Sequence, residues 1–233
     1  MIENNYYTLT ETIYQNIKEL IINGKYKSGS RLLLNNLSNE MNVSITPVRE
    51  ALKKMEKDGL VKIIPNKGAI VISLTFRDVI EIYDLRKQLE LLAVELFMKN
   101  KKQNVLDELS KICDEDDNYL RNGDLTSHIK CNYKFHMLLI KSGENKRLIS
   151  YYNELNGQLS ILVSRTISFA GEPKKSAGEH KKITEALRQE NVNLAKKIIQ
   201  SHIENAKKDI LNRAIIMSKS KKINYDTKID EVI

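Results

Sequence analysis

One turn signal divides this chain of 233 residues into two unlike parts. Residues 60–64 and 69–74 are rich in β-branched and apolar side chains. Pro65-Asn66-Lys67-Gly68, a tetrapeptide suited to a tight turn, joins them. This reads as a β-hairpin, and from residue 75 onward no run of comparable strength appears. Only nine glycines and three prolines interrupt the chain, so most of the remainder is free to be helical. The expected fold is mainly α: a small mixed head, a boundary near residue 76, then an all-helical domain.

Within the head, Leu9, Ile13, Ile17, Leu20 and Ile21 mark one face of a helix over 8–23. Gly24 and Gly29 bracket a turn. Helices are expected over 34–42 and 46–58, with Gly59 ending the second as its C′ residue. Thr46 is expected as N-cap and Pro47 as the first helical residue, where no N–H is needed. Three helices followed by a hairpin make a winged helix-turn-helix. Such a motif presents the start of its second helix to base edges in the major groove. The net charge of +8 and pI near 9.2 agree with a polyanionic partner but carry little weight alone.

In the second part, Thr75 and Asp78 form a capping-box-like start to a helix that runs to about residue 98. Further helices are expected over 103–121, 126–142, 146–168, 177–190 and 192–216. Residues 171–178 are the clearest internal break. Residues 217–233, with Lys219, Lys221 and Lys222, read as a frayed basic tail. Cys113 and Cys131 form neither a metal-type pair nor a disulfide framework. The opening residues lack the pattern of a signal peptide, and no apolar stretch reaches the roughly 18 residues of a membrane span. A cytoplasmic protein without membrane contact is expected. Asp114-Glu115-Asp116-Asp117-Asn118 lacks the glycine and terminal glutamate of a calcium loop and reads as a solvated helix end. Phosphate-loop, nucleophile-elbow and His-Glu-x-x-His patterns are absent, so no enzyme is expected.

Gly24, Gly29, Arg31-Leu32, Leu37, Val43-Ser44, the run Thr46-Pro47-Val48-Arg49-Glu50-Ala51-Leu52, Gly59-Leu60-Val61 and Pro65-Asn66-Lys67-Gly68 stand in one order and spacing. In these residues the chain resembles the GntR family of bacterial transcription regulators. The second half resembles the FCD effector domain of the FadR subfamily. It does so in Arg86 with Glu90, Phe135-His136, Asn145 with Leu148, Glu179-His180, Ala186-Leu187 and Ala195 with His202-Ile203. The resemblance implies a winged helix-turn-helix domain over 1–76. An antiparallel FCD-like bundle for effector binding and dimerisation follows over 77–216, then the tail. It further implies a homodimer on a palindromic double-stranded DNA operator, a divalent metal, and a small organic acid effector. Regulation, more often repression, is the function implied.

The DNA-contact residues expected from this pattern are Asn35, Ser44, Thr46, Pro47, Arg49, Lys53, Lys67 and Gly68. Arg49 is the candidate for a base or phosphate contact; the alternative is a surface pair with Glu50 or Glu56. Lys53, Lys54, Lys57 and Lys67 would either reach phosphates or solvate their elements. Gly68 is expected to let the wing backbone approach the minor groove. Two departures stand out: Ile45 where the family commonly has arginine, and Leu34-Asn35 where it often has a glutamate–arginine pair. The operator therefore cannot be borrowed from relatives.

Asn132 and His136 are four apart and share a helix face. His202 interrupts the apolar stripe Leu194, Ile198, Ala206, Ile210, and His180 precedes Ile183 and Leu187 on an inward face. A lone inward histidine is more often a satisfied core residue than a ligand. These three fall where the family's ligands lie, so the expectation is a mononuclear site of Asn132, His136, His180 and His202. Asn132 replaces the family's usual aspartate, which leaves a divalent ion less compensated; imidazoles still favour zinc or nickel. His128 could substitute as a ligand or cap its own helix. Arg86, on the stripe Ile82, Leu89, Ala93, Leu96, needs an anion, either Glu90 or the carboxylate of an effector. Asn145 and Arg165 are expected at the effector pocket or as ties between helices. Two other functions remain open: a regulator for which the metal itself is the signal, and a metal-dependent hydrolase with no clearly placed general base.

Overall fold

The computed structural model describes residues 8–100, 102–166, 173–217 and 224–229, with the side chains of 162–166 and 217 outside the description. The head contains α1 (Leu9–Ile22), β1 (Arg31–Leu33), α2 (Leu34–Glu40), α3 (Ile45–Lys57), β2 (Val61–Ile64) and β3 (Gly68–Val71). The helical domain follows as α4 (Phe76–Asn100), α5 (Gln103–Arg121), α6 (Leu125–Ser142), α7 (Lys146–Thr166), α8 (Pro173–Arg188) and α9 (Val192–Met217).

Local chemistry explains most of these boundaries. Thr8 caps α1 by accepting from the Glu11 N–H at 3.2 Å. Val48, Ala51, Leu52 and Met55 recur at helical spacing on α3 and are all buried in the head's core. The N-cap of α3 is Ser44 rather than Thr46, and Pro47 occupies the third helical position. Proline loses nothing there, because N–H groups of the first turn have no partner within the helix. The hairpin forms as expected, and a third strand joins it: β1 pairs with β3, giving the antiparallel order β1-β3-β2. Three residues with one buried side chain leave too little pattern for β1 to be read in advance.

That strand gives Gly68 a structural role as well. Its φ is +118° and it is buried; a Cβ there would overlap the carbonyl oxygen of Leu32. Gly68 is demanded by β1 within the wing, a reason for glycine that holds with or without DNA.

In the helical domain, Thr75 and Asp78 form the reciprocal box that starts α4. The Thr75 N–H donates to Asp78 at 2.7 Å, and the Asp78 N–H donates to the Thr75 hydroxyl at 3.1 Å. The expected break at 171–178 is shorter than the residues indicate. Helix α8 already begins at Pro173, which suits a first helical position, and 171–172 lie outside the described residues. The tail also departs from expectation. The Ile229 N–H donates to the Leu74 carbonyl at 2.8 Å, Thr75 bridges Lys228, and the Ile229 side chain is fully buried in the bundle core. Burial of Ile229, with the Phe76 and Arg77 N–H groups donating to the Thr227 and Tyr225 carbonyls at 3.2 and 2.8 Å, docks residues 224–229 beside the start of α4. The two cores meet at α7, whose Ile161 is buried among head residues, and the Tyr14 hydroxyl donates to Asp58 at 2.7 Å beside this contact.

Candidate functional site

Five helices converge on the inner end of the bundle. His136 comes from α6, His180 from α8, His202 from α9, Arg86 and Glu90 from α4, and Tyr152 from α7. All six are buried. Among the described residues, the three histidines form the one His/Cys/Asp/Glu group with metal-ligand spacing, their donor atoms lying within 4.8 Å of one another. The Nε2 of His136 is 3.1 Å from that of His202 and 3.2 Å from that of His180.

Two carboxylates set the tautomers. Glu90 lies 2.7 Å from Nδ1 of His136, and Glu179 lies 2.7 Å from Nδ1 of His202. An Nδ1–H donated to each carboxylate leaves Nε2 of both rings with a lone pair aimed at the same point. His180 has its ring held by Phe135, stacked at 4.2 Å between centroids with a 16° interplanar angle. Nε2 of His180 faces that of His136 at 3.2 Å, where it can donate a proton to it or, with that proton displaced, join the other two lone pairs on one cation. The N–N spacing also matches what ligands at about 2.0–2.1 Å from one ion require. The donor set therefore fits a divalent metal of the imidazole-favouring kind.

Charge reinforces this state. Burial pushes His136 down to about 4, outweighing the pull of Glu90, and pushes His180 well below its ordinary value. Burial alone would raise the Glu90 carboxyl, but His136 and Arg86 against it hold it well below the usual carboxylate range. Glu90 is thus an anion sharing itself among Arg86 at 2.8 Å, the Tyr152 hydroxyl at 3.1 Å and His136. Arg86 takes the Glu90 alternative while still lining the adjoining cavity.

That cavity has a volume of about 620 Å³ and is bordered by Arg86, Asn132, His136, Tyr152, Glu179 and His202, among others. Asn132 sits on its wall, half-buried, one turn before His136. Asn145 is not brought here. Its side chain accepts the N–H groups of Arg147 and Leu148, both at 3.1 Å, which makes it the start of α7. The side chain of Arg165 lies outside the described residues. His128 neither caps α6, a role held by Asp124, nor joins the cluster; its Nδ1 pairs with Asp116 at 2.8 Å.

At the other end of the molecule, Asn35, Ser44, Thr46, Arg49, Lys53 and Lys67 are exposed and Pro47 is half-buried. The surface alternatives for Arg49 are already engaged: Glu50 pairs with Lys53 at 3.0 Å, and Glu56 accepts the Ile63 N–H at 2.7 Å. Lys54 turns the opposite way, onto Glu11 and the Tyr14 ring.

Residues 9–71 match bacterial regulatory proteins of the gntR family, and residues 81–205 match the FCD domain. The uncharacterized HTH-type transcriptional regulator YdhC of Bacillus subtilis is 34% identical over 192 residues, covering 81% of this chain and 85% of that protein. The chain belongs to the GntR family. Its members are DNA-binding transcription regulators, not enzymes, so the hydrolase reading of the three histidines falls. The gluconate operon transcriptional repressor of B. subtilis is 30% identical over 135 residues, covering 58% of this chain and 55% of that protein. The solved structure of Escherichia coli McbR/YncC shares the fold, with a TM-score of 0.75 at 22% identity over 89% of this chain and 99% of that one.

Within this GntR regulator, the residues not foreseen are the carboxylates behind the imidazoles. Glu90 stood out only as a partner for Arg86, and Glu179 only as a neighbour of His180. An acid one turn from a basic residue carries no mark of a third partner on another helix.

Proposed function

We propose that this GntR regulator binds a palindromic operator as a homodimer, represses, and responds to a small carboxylate held in the helical domain beside a divalent metal. His136, His180 and His202 are the metal ligands, with Asn132 as a neutral fourth donor; zinc or nickel suits them. When bound, such an ion supplies a Lewis-acidic anchor for an anion. The observation that carries this reading is the convergence of three imidazoles, two of which, His136 and His202, stand at the wall of a cavity that Arg86 also borders.

Asn35, Ser44, Thr46, Pro47, Arg49, Lys53, Lys67 and Gly68 form the DNA-contacting set, with Arg49 nearest to the start of the reading helix among the charged ones. Dimer formation through α4 is supported by Leu85 and Leu92, seven apart on one face and 57% and 38% exposed. Two heads so joined would read half-sites about one helical turn apart. Repression is supported by the similarity to the gluconate operon transcriptional repressor. No helix among the described residues is long and apolar enough to cross a membrane, and a DNA partner supports a cytoplasmic location.

The test is a DNA-binding assay on the chain's own upstream region, repeated with metal, with chelator and with a panel of small carboxylates. Binding that a carboxylate alters only in the metal-loaded protein supports the reading. Alteration by metal alone, with every acid silent, would make the ion itself the signal. DNA binding indifferent to all of them would remove the sensory role.

A further inference from the structure

The cavity beside the histidines is not enclosed by the helical domain alone. Lys18 and Ile22 of α1, in the DNA-binding head, form part of its wall. Six basic side chains border it against two acidic ones, Glu179 and Asp209; Glu179 is committed to His202 and Arg86 to Glu90, which still leaves basic groups in excess. Lys18 is half-buried and forms no ion pair among the described residues. The acids nearest to it are otherwise engaged: Asp58 accepts from Tyr14 and Glu11 pairs with Lys54. Its ammonium lies over the Tyr14 ring, 5.8 Å from the centroid.

We propose that the effector is at least a dianion of the dicarboxylate class, with one carboxylate facing the histidines and Arg86 and a second held by Lys18, so that the head itself touches the ligand. This rests on the carboxylate-effector reading above and adds how binding is transmitted. A ligand shifts a conformational equilibrium only by as much as it binds one state better than the other. An acid touching the bundle alone would make the same contacts wherever the head sits, and would need an indirect route. Lys18 removes that need. Its contact exists only while α1 closes the cavity, so the occupant stabilises this placement of the head against any other. The excess of positive charge around the space explains why a monocarboxylate would be a poor occupant: it leaves the α1 side unmatched.

The experiment uses the full zinc-loaded chain with succinate and citrate as probes, read by calorimetry and by affinity for its upstream DNA. Wild type, Lys18→Met, Lys18→Arg and His202→Ala are compared after thermal melts establish that each is folded. Lys18→Met is expected to weaken both acids about tenfold or more, the scale of one charge-assisted hydrogen bond, and to abolish their effect on DNA affinity. Lys18→Arg should restore much of both. If Lys18→Met binds the acids and changes DNA affinity as wild type does, this inference is overturned while the carboxylate reading stands. If neither acid binds wild type any better than His202→Ala, the carboxylate reading fails and this inference with it.

Discussion

Gly157 of α7 lies against the backbone of Asp58, the residue that closes the reading helix α3, so closely that a Cβ at 157 would overlap the Asp58 carbonyl oxygen. The contact is reciprocal. Gly59, the next residue, would place a Cβ 2.6 Å from the Glu154 carbonyl oxygen one turn earlier on α7. The helix that lines the cavity beside the histidines through Tyr152 and Asn156 thus touches the end of α3, backbone to backbone.

Replacing Gly157 with alanine inverts a common expectation. A helical glycine in open space gains about 0.5–1 kcal/mol on becoming alanine, because the unfolded chain loses freedom. Gly178, helical on α8 with nothing within 4 Å of an added Cβ, should behave that way. Gly157→Ala should instead destabilise by about 1–3 kcal/mol, the usual scale of overpacking, and loosen the head from the bundle. Denaturant titration of both variants checks the opposite signs.

Glu90→Gln keeps the shape of the side chain and removes the charge shared by Arg86 and His136. It leaves a buried guanidinium uncompensated, at a cost of about 3–5 kcal/mol. It also frees the His136 ring from its fixed tautomer, so metal affinity should fall about 10–100-fold. Competition with a chelator of known affinity measures the second effect separately from the first. Unchanged metal affinity would show that the carboxylate serves Arg86 alone.

Acid should destabilise the metal-free protein over a defined window. His136 drops from the ordinary 6.5 to about 4 on folding, and His180 falls well below it. Between these values the unfolded chain binds protons that the folded chain refuses, so stability is complete above pH 6.5 and is lost as pH falls toward 4. His136 alone contributes a loss of about 3 kcal/mol across the window. Urea midpoints measured at several pH values with chelator present test this; midpoints that stay level would show the imidazoles to be accessible.

Arg49→Ala should weaken binding to the cognate operator by about 1–3 kcal/mol, roughly 5–150-fold, while binding to unrelated DNA changes little. Oligomeric state and metal content should not move, because Arg49 is exposed and remote from the bundle core. Equal losses on specific and unrelated DNA would make Arg49 a phosphate contact.

Much of the architecture is written in local pattern. The hairpin, the box at Thr75 and Asp78, the span of α5 and the inward positions of His180 and His202 follow from side-chain periodicity and capping, while that of His136 came from the family resemblance. These forces act within a few residues, so neighbours along the chain suffice to read them. What depended on the folded arrangement are the contacts between elements distant in sequence. Glu90 meets His136 across 46 positions and Glu179 meets His202 across 23. Short β1 forms only because Gly68 admits it, Ile229 is held by a core built far upstream, and Lys18 of the first helix closes a cavity made by later ones. Each of these is a matter of complementary shape and charge across a packed interface, which no spacing along a single helix or strand can encode.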